Sequence, residues 1–269
     1  MQSLRPVEPA RPVAGYIGGK KLLAARIIAE IEATQHRLYA EPFVGMGGVF
    51  LRRRLAPEVE AINDGNRDVA TLFRVLQRHY QAFMDMLKWQ LASRAEFERL
   101  VGMEADRLTD LERAARFLYL QRLAFGGKVT GQNFGIDTHH GGRFNVTRLG
   151  VLLEAVHERL SGVWIDCQPW EEFIGRWDRP GTLFYVDPPY WGTEHFYGRG
   201  LFKPDDHERL ALALKGLRGT FILSLNDVPE VRSLYAWAAL KEVSLSYRAS
   251  GGATPARELI IRPRRSPKK

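Results

Sequence analysis

Residues 181–191 read GTLFYVDPPYW, and no other stretch of the chain limits its fold so tightly. Leu183, Phe184, Tyr185 and Val186 form an unbroken apolar run instead of an alternating one. That is the pattern of a strand buried on both faces, as in parallel sheets flanked by helices. The run ends abruptly on Asp187, followed by Pro188, Pro189 and Tyr190. A buried strand that finishes on an acid, locked by two prolines and backed by an aromatic ring, asks for a chemical reason.

The rest of the chain alternates to match. Helical spacing over 20–33 precedes a short strand at 37–45 that runs into a glycine loop; a helix is expected over 47–55, a strand over 58–64 and one long helix over 66–87. Residues 88–124 read as helical throughout, with Ser93 and Glu96 spaced as a capping box. Residues 125–145 are glycine-rich without helical period and read as loops and hairpins. Alternation then resumes: helix 148–161, strand 163–167, helix 170–177, strand 182–186, helix 205–217, strand 220–225, helix 228–238 and strands 241–248 and 258–262. The expected architecture is an α/β parallel sheet interrupted by an inserted helical and loop module. Its parts are a first core segment 1–76, a target-recognition insert 77–147, a second core segment 148–262 and a basic tail 263–269.

Composition narrows the partners. The chain of 269 residues carries a net charge of +8, which suits a polyanion such as nucleic acid. Part of that excess lies in 257–269, where six basic residues stand against Glu258. A single cysteine, Cys167, excludes a disulfide framework and a cysteine-ligated zinc site. No apolar run is long enough to span a membrane. The opening MQSLRPVEPARP lacks the apolar core of a secretory signal, so a cytoplasmic location is expected. His139 and His140 are adjacent and read as loop residues; no metal site is expected.

Three motifs carry chemistry. EPFVGMGGVF (41–50) is a glycine-rich turn between strand and helix, either a tight turn or a place where a ligand meets the backbone. It lacks the Lys and Ser/Thr of a phosphate-binding P-loop. Asp64 closes the next strand about twenty residues on, positioned to cap the following helix or to accept both hydroxyls of an adenosine ribose. In Asp187-Pro188-Pro189-Tyr190 the carboxylate and the Pro188 carbonyl can each accept one N–H of an exocyclic amine. Pro189 stiffens the turn and biases Pro188 toward an extended backbone. Tyr190 offers a flat face for a base. An amine held by two acceptors loses conjugation with its ring, and its lone pair becomes available to an electrophile.

These residues resemble the motif set of the Dam-like DNA adenine-N6 methyltransferases of bacteria and phages. The resemblance spans roughly 14–262: YIGGK (16–20) as the opening motif, EPFVGMGG as the S-adenosylmethionine loop, the recognition insert, then Asp-Pro-Pro-Tyr, in the family's α order. It implies a Rossmann-like S-adenosylmethionine-dependent methyltransferase sheet and transfer of a methyl group to adenine N6 in double-stranded DNA, at a specific short sequence and by base flipping. It implies cofactor contacts from Tyr16, Lys20, Phe43, Gly45, Gly47, Asp64, Trp170 and Asp187. Asp187, Pro188, Pro189 and Tyr190 would form the catalytic turn, and Asn226 would border the target pocket. The chain departs from the family at CQPWEEF (167–173): Pro169 replaces an acid that contacts the cofactor adenine, a role Gln168 or a backbone carbonyl could fill. GGRFNVTRLG (141–150) resembles the recognition hairpin, which implies DNA contacts from Arg122, Lys128, Arg143, Asn145 and Arg148, with phosphate the expected partner of each basic residue. Other readings are a cytosine-N4 methyltransferase, an RNA or protein-amide methyltransferase, and a catalytically weak DNA-binding relative. A monomer is expected.

Overall fold

The structure, a computed structural model, describes residues 4–16, 18–124, 131–135, 144–194, 200–249 and 252–264. Along the chain run β1 (Arg5–Pro6), α1 (Ala24–Glu32), β2 (Leu38–Glu41), β3 (Leu55–Ala56), β4 (Val59–Asn63), α2 (Arg67–Arg78), α3 (Tyr80–Leu87), α4 (Arg94–Val101), α5 (Asp110–Leu123), α6 (Val146–Arg159), β5 (Trp164–Asp166), α7 (Trp170–Trp177), β6 (Thr182–Val186), α8 (Asp206–Lys215), β7 (Thr220–Asn226), α9 (Pro229–Leu234), β8 (Ala239–Ala249) and β9 (Gly252–Arg262).

Seven strands form one sheet in the order β5-β4-β2-β6-β7-β9-β8. The first five are mutually parallel, and β9 runs antiparallel between β7 and β8. This is a Rossmann-like sheet with an antiparallel strand inserted near one edge. Successive side chains of a strand point to opposite faces, and here both faces are covered. Tyr39, Leu183, Tyr185, Ile222 and Ile260 enter one core with α1 to α6. Leu38, Ala40, Phe184, Val186, Leu223 and Ile261 enter the other with α7 to α9. The apolar run of β6 does not alternate because it feeds both cores. The segment 77–147 contributes Phe83, Leu87, Phe97, Leu100, Phe117 and Leu118 to the first of them, so its helices share the core of the sheet.

Order along the chain reverses at β2, which has β4 on one side and β6 on the other. Loops leaving the two carboxyl ends diverge there and open a crevice, the usual ligand position in open α/β sheets.

Four expectations need correction. The helix over 47–55 is only a 3-10 turn, Phe50–Arg52. Long-range pairing wins: β3 pairs with β1, the Ala10 N–H bonds the Leu51 carbonyl at 2.8 Å, and Arg53 turns inward to pair with Glu60. The helix over 66–87 breaks at His79 into α2 and α3. The stretch 88–124 holds two α-helices and a 3-10 turn, Ala105–Arg107, instead of continuous helix. Ser93 does cap α4 by accepting the Glu96 N–H, but the Glu96 carboxylate is held bidentately by Arg99 and does not close the box. Thr109 and Glu112 form the complete capping box, at the start of α5.

Candidate active site

The crevice is a cleft of about 910 Å³ running from Asp64 and Trp170, past Glu41, Gly45 and Asp187, to Arg52 and Arg122. Its walls are loops, and each is tied down by side chains that the strands present.

The glycine loop after β2 is anchored twice. Asn63, at the end of β4, donates its side-chain amide to the carbonyls of Pro42 (3.0 Å) and Gln168 (3.1 Å) and accepts from the Gln168 N–H (2.9 Å). One buried amide thus joins the glycine loop to the loop before α7. The Gly45 N–H donates to Asp64 Oδ2 at 2.8 Å. Gly45 has φ +49°, and a Cβ there would stand 3.1 Å from the Tyr16 ring. Gly47 has φ +72°, and its Cβ would lie 2.7 Å from Leu51 Cγ. These positions require glycine, and the closeness to Tyr16 brings the opening motif onto the loop.

The structure tests one of the two roles left open for Asp64, the cap of α2. Asn66, not Asp64, caps α2. Asp64 accepts from Gly45 N–H and from Asn66 N–H, both at 2.8 Å, and lines the cleft. Burial pushes its carboxyl up to about 6 despite those donors. Near it stand Phe43, Trp170 and Phe202, the Phe43 ring 6.5 Å from Trp170 and 5.7 Å from Phe202. A flat ring can lie among these aromatics while its sugar reaches Asp64. With an acid for ribose, an aromatic slot and a glycine cradle that a Cβ would fill, the cleft fits S-adenosylmethionine.

At the cleft's centre lies the turn after β6. Lys20 Nζ, on a side chain 3% exposed, is 2.7 Å from Asp187 Oδ1 and donates to the Tyr190 hydroxyl at 2.8 Å and to the Gly18 carbonyl at 3.3 Å. The same ammonium sits 4.4 Å from the Tyr190 ring centre. Ser224, on β7, donates to Asp187 Oδ1 at 3.0 Å and meets the Tyr185 hydroxyl at 2.9 Å. Burial pushes the Asp187 carboxyl up, while Lys20 and Ser224 pull it back. Oδ1 therefore has two donors, and among the described residues Oδ2 has none. Asn226 holds the turn itself: its side chain accepts from the Trp191 N–H (3.0 Å) and donates to the Trp191 carbonyl (3.2 Å). Pro188 and Pro189 are buried beneath it.

Of the sequence-derived cofactor residues, Tyr16, Lys20, Phe43, Gly45, Asp64, Trp170 and Asp187 line this one cleft. Gly47 stands behind the wall, against Leu51 and Phe73. At the Pro169 departure, Asn63 occupies the Gln168 carbonyl, and Gln168 Oε1 is buried with no hydrogen-bond partner among the described residues. Cys167 also lines the cleft, its thiol pushed up by burial and by Asp64.

The proposed DNA contacts scatter. Arg122 is half-buried and donates to the Val13 carbonyl at 2.5 Å, beside the Gln121 bond to the Gly15 carbonyl (2.8 Å). It pins the N-terminal strap that carries the opening motif and also lines the cleft. Asn145 caps α6, accepting the Arg148 N–H at 3.1 Å, and Arg148 is exposed on the first turn. Lys128 and Arg143 lie outside the described residues, as do His139 and His140. Among the described residues no group of acids, histidines and cysteine could hold a metal ion, and no helix is long and apolar enough to cross a membrane.

Sequence reasoning missed Glu41 and Ser224. Glu41 ends β2 on the cleft wall, accepts the Tyr39 hydroxyl at 2.6 Å and is pushed up to about 8 by burial. Its signal was an acid closing a buried strand, the same signal that singled out Asp64. Ser224 interrupts an apolar strand and carries no other mark.

Residues 16–248 match the family model described as D12 class N6 adenine-specific DNA methyltransferase. The chain is similar to the type II methyltransferase M1.LlaDCHI of Lactococcus lactis subsp. cremoris, 27% identical over 84% of each chain. It is 26% identical to a DNA adenine methylase of Haemophilus influenzae, covering 91% of this chain and 89% of that one. Similarity to the DNA N-6-adenine-methyltransferase of Escherichia phage P1 is 27%, over 86% of this chain and 32% of the longer phage protein.

Proposed function

The chain belongs to the D12 class of N6 adenine-specific DNA methyltransferases, and we propose that it modifies one adenine within a short duplex sequence, rotating that base out of the stack onto Asp187, Pro188 and Tyr190. The observation that carries this reading is the asymmetry of Asp187: Lys20 and Ser224 occupy Oδ1, and Oδ2 faces no protein donor among the described residues.

Bound S-adenosylmethionine supplies an electrophilic methyl group. Asp64 would hold its ribose hydroxyls, Phe43 and Trp170 would flank its adenine, and Glu41 would serve its charged amino-acid arm. Oδ2 of Asp187 accepts one N6–H of the target and the Pro188 carbonyl accepts the other, turning the lone pair out of conjugation. Lys20 and Ser224 keep the carboxylate from rotating, and Asn226 fixes the turn through Trp191. Most of the acceleration comes from such positioning, where effective molarities reach the order of 10⁵ M or more. Extrusion costs a few kcal/mol, and stacking on Tyr190 returns roughly 1–3 kcal/mol. Arg148, exposed at the start of α6, suits a DNA phosphate.

A duplex carrying 2-aminopurine at the target position tests this directly. The expected result is strong fluorescence enhancement on binding, reduced in Tyr190→Ala. No enhancement at any adenine of a substrate duplex refutes the flipping reading.

A further inference from the structure

We propose that Tyr39 is a positioning residue for the cofactor: its buried hydroxyl holds one oxygen of Glu41 and leaves the other for the ammonium of the amino-acid arm. This rests on the reading that Glu41 serves that arm.

Tyr39 and Glu41 lie two residues apart on β2, so their side chains leave the strand on the same face. Tyr39 is 0% exposed, and its hydroxyl donates to Glu41 Oε2 at 2.6 Å. Glu41 lines the cleft, and among the described residues its Oε1 has no donor. Asp187 is built the same way, with one oxygen held from behind and the other without a protein donor among the described residues. A carboxylate fixed at one oxygen has little freedom to rotate, so its other oxygen is in place before a ligand arrives.

Behind the phenol stands a group of buried charges that no step of the transfer uses. The Arg53 guanidinium lies 3.6 Å from the Tyr39 ring centre and pairs with Glu60. Arg159 bonds the same carboxylate at 2.7 and 2.8 Å. Arg53, Glu60 and Arg159 are all buried, and buried charges need partners. Two guanidinium groups share one carboxylate here, which leaves one positive charge over. An ionised Glu41 balances it from the far side of the ring. Burial pushes the Glu41 carboxyl up, while the Tyr39 hydroxyl and the Arg53 charge pull it back. A cation over the ring face is attracted to its π electrons and makes the O–H a stronger donor.

Two ligands that differ in the arm alone test this role. S-Adenosylhomocysteine carries the arm; 5′-methylthioadenosine keeps the adenosine and the sulfur but ends in a methyl group. Both are titrated by calorimetry at about pH 8.5, where Glu41, raised to about 8, is largely ionised. Tyr39→Phe keeps the ring in the core and removes the donor. It is expected to weaken S-adenosylhomocysteine about tenfold, the worth of a hydrogen bond to a charged group, and to leave methylthioadenosine unchanged. Glu41→Gln should show the same selectivity, and the double variant should lose no more than Glu41→Gln alone. The role of Tyr39 is overturned by unchanged S-adenosylhomocysteine affinity in Tyr39→Phe, by equal weakening of both ligands, as damaged packing would give, or by losses that multiply in the double variant. If melting shows that Tyr39→Phe does not fold, Arg53→Met decides in its place, since Glu60 keeps its pair with Arg159. A several-fold loss confined to S-adenosylhomocysteine supports the role there, and no loss or an equal loss for both ligands overturns it. Selective loss in Glu41→Gln beside none in Tyr39→Phe overturns only the role of Tyr39, whereas no selectivity in Glu41→Gln overturns the reading of Glu41 itself.

Discussion

Acidity should weaken cofactor binding by an amount that two buried acids determine. Burial holds Asp64 at about 6 and Glu41 at about 8. Both carboxyls are raised, so at neutral pH Glu41 is mostly protonated and Asp64 mostly ionised in the ligand-free protein. Each has to be a carboxylate to serve a ribose hydroxyl or an ammonium. Binding therefore expels protons, and the slope of log Kd against pH counts them. Between about pH 7 and about pH 6.5 Glu41 alone supplies a slope of about one; below about pH 6 Asp64 joins and the slope approaches about two. Over the span from about pH 7 to about pH 5 the share of Asp64 is about tenfold, or ~1.4 kcal/mol. Calorimetric titration with S-adenosylmethionine across that range measures the curve. Asp64→Asn should remove the bend and leave the shallower line; Glu41→Gln should lower the slope by about one throughout. A pH-independent Kd in the wild type, or a bend that survives in Asp64→Asn, would show that these two acids do not ionise on cofactor binding.

Two further perturbations follow from the same geometry. Gly47→Ala forces a side chain into a left-handed backbone and against Leu51 Cγ at 2.7 Å, so chemical denaturation should show a loss of roughly 1–3 kcal/mol; an unchanged midpoint contradicts it. Lys20→Met takes away the ammonium that pulls the Asp187 carboxyl down. Its pKa then climbs further, and because the carboxylate is the working form, the acid limb of the kcat profile should move to higher pH. A limb that stays in place would separate Asp187 from the rate.

Local signals made much of the fold readable. The bounds of β6 and α7 coincide with the expected ones because their signals are local: an apolar run ended by proline, and helical spacing between Pro169 and Asp178. Expectations failed where distant partners decide. Nothing within 47–55 shows that Arg53 turns inward to Glu60, or that β1 will claim Leu55 and Ala56. The site divides the same way. Motifs with unusual local chemistry, such as Asp187 to Tyr190 and the glycine loop, stand out in the sequence. Their supports do not, since Lys20 meets Tyr190 across 170 positions and Ser224 meets Asp187 across 37. Pairing in space gives an ordinary strand serine or glutamate its role, and no spacing rule encodes it.

If Asp187 activates an adenine N6 for methylation, labelled methyl must arrive at that nitrogen and depend on that carboxylate. The direct measurement is to incubate the protein with tritiated S-adenosylmethionine and duplex DNA of mixed sequence, beside Asp187→Ala, and to digest the DNA to nucleosides. Label is expected in N6-methyl-2′-deoxyadenosine, with the variant slower by on the order of 10²–10³-fold or more while still binding the cofactor. Label in N4-methyl-2′-deoxycytidine, or a variant as fast as the wild type, would contradict it.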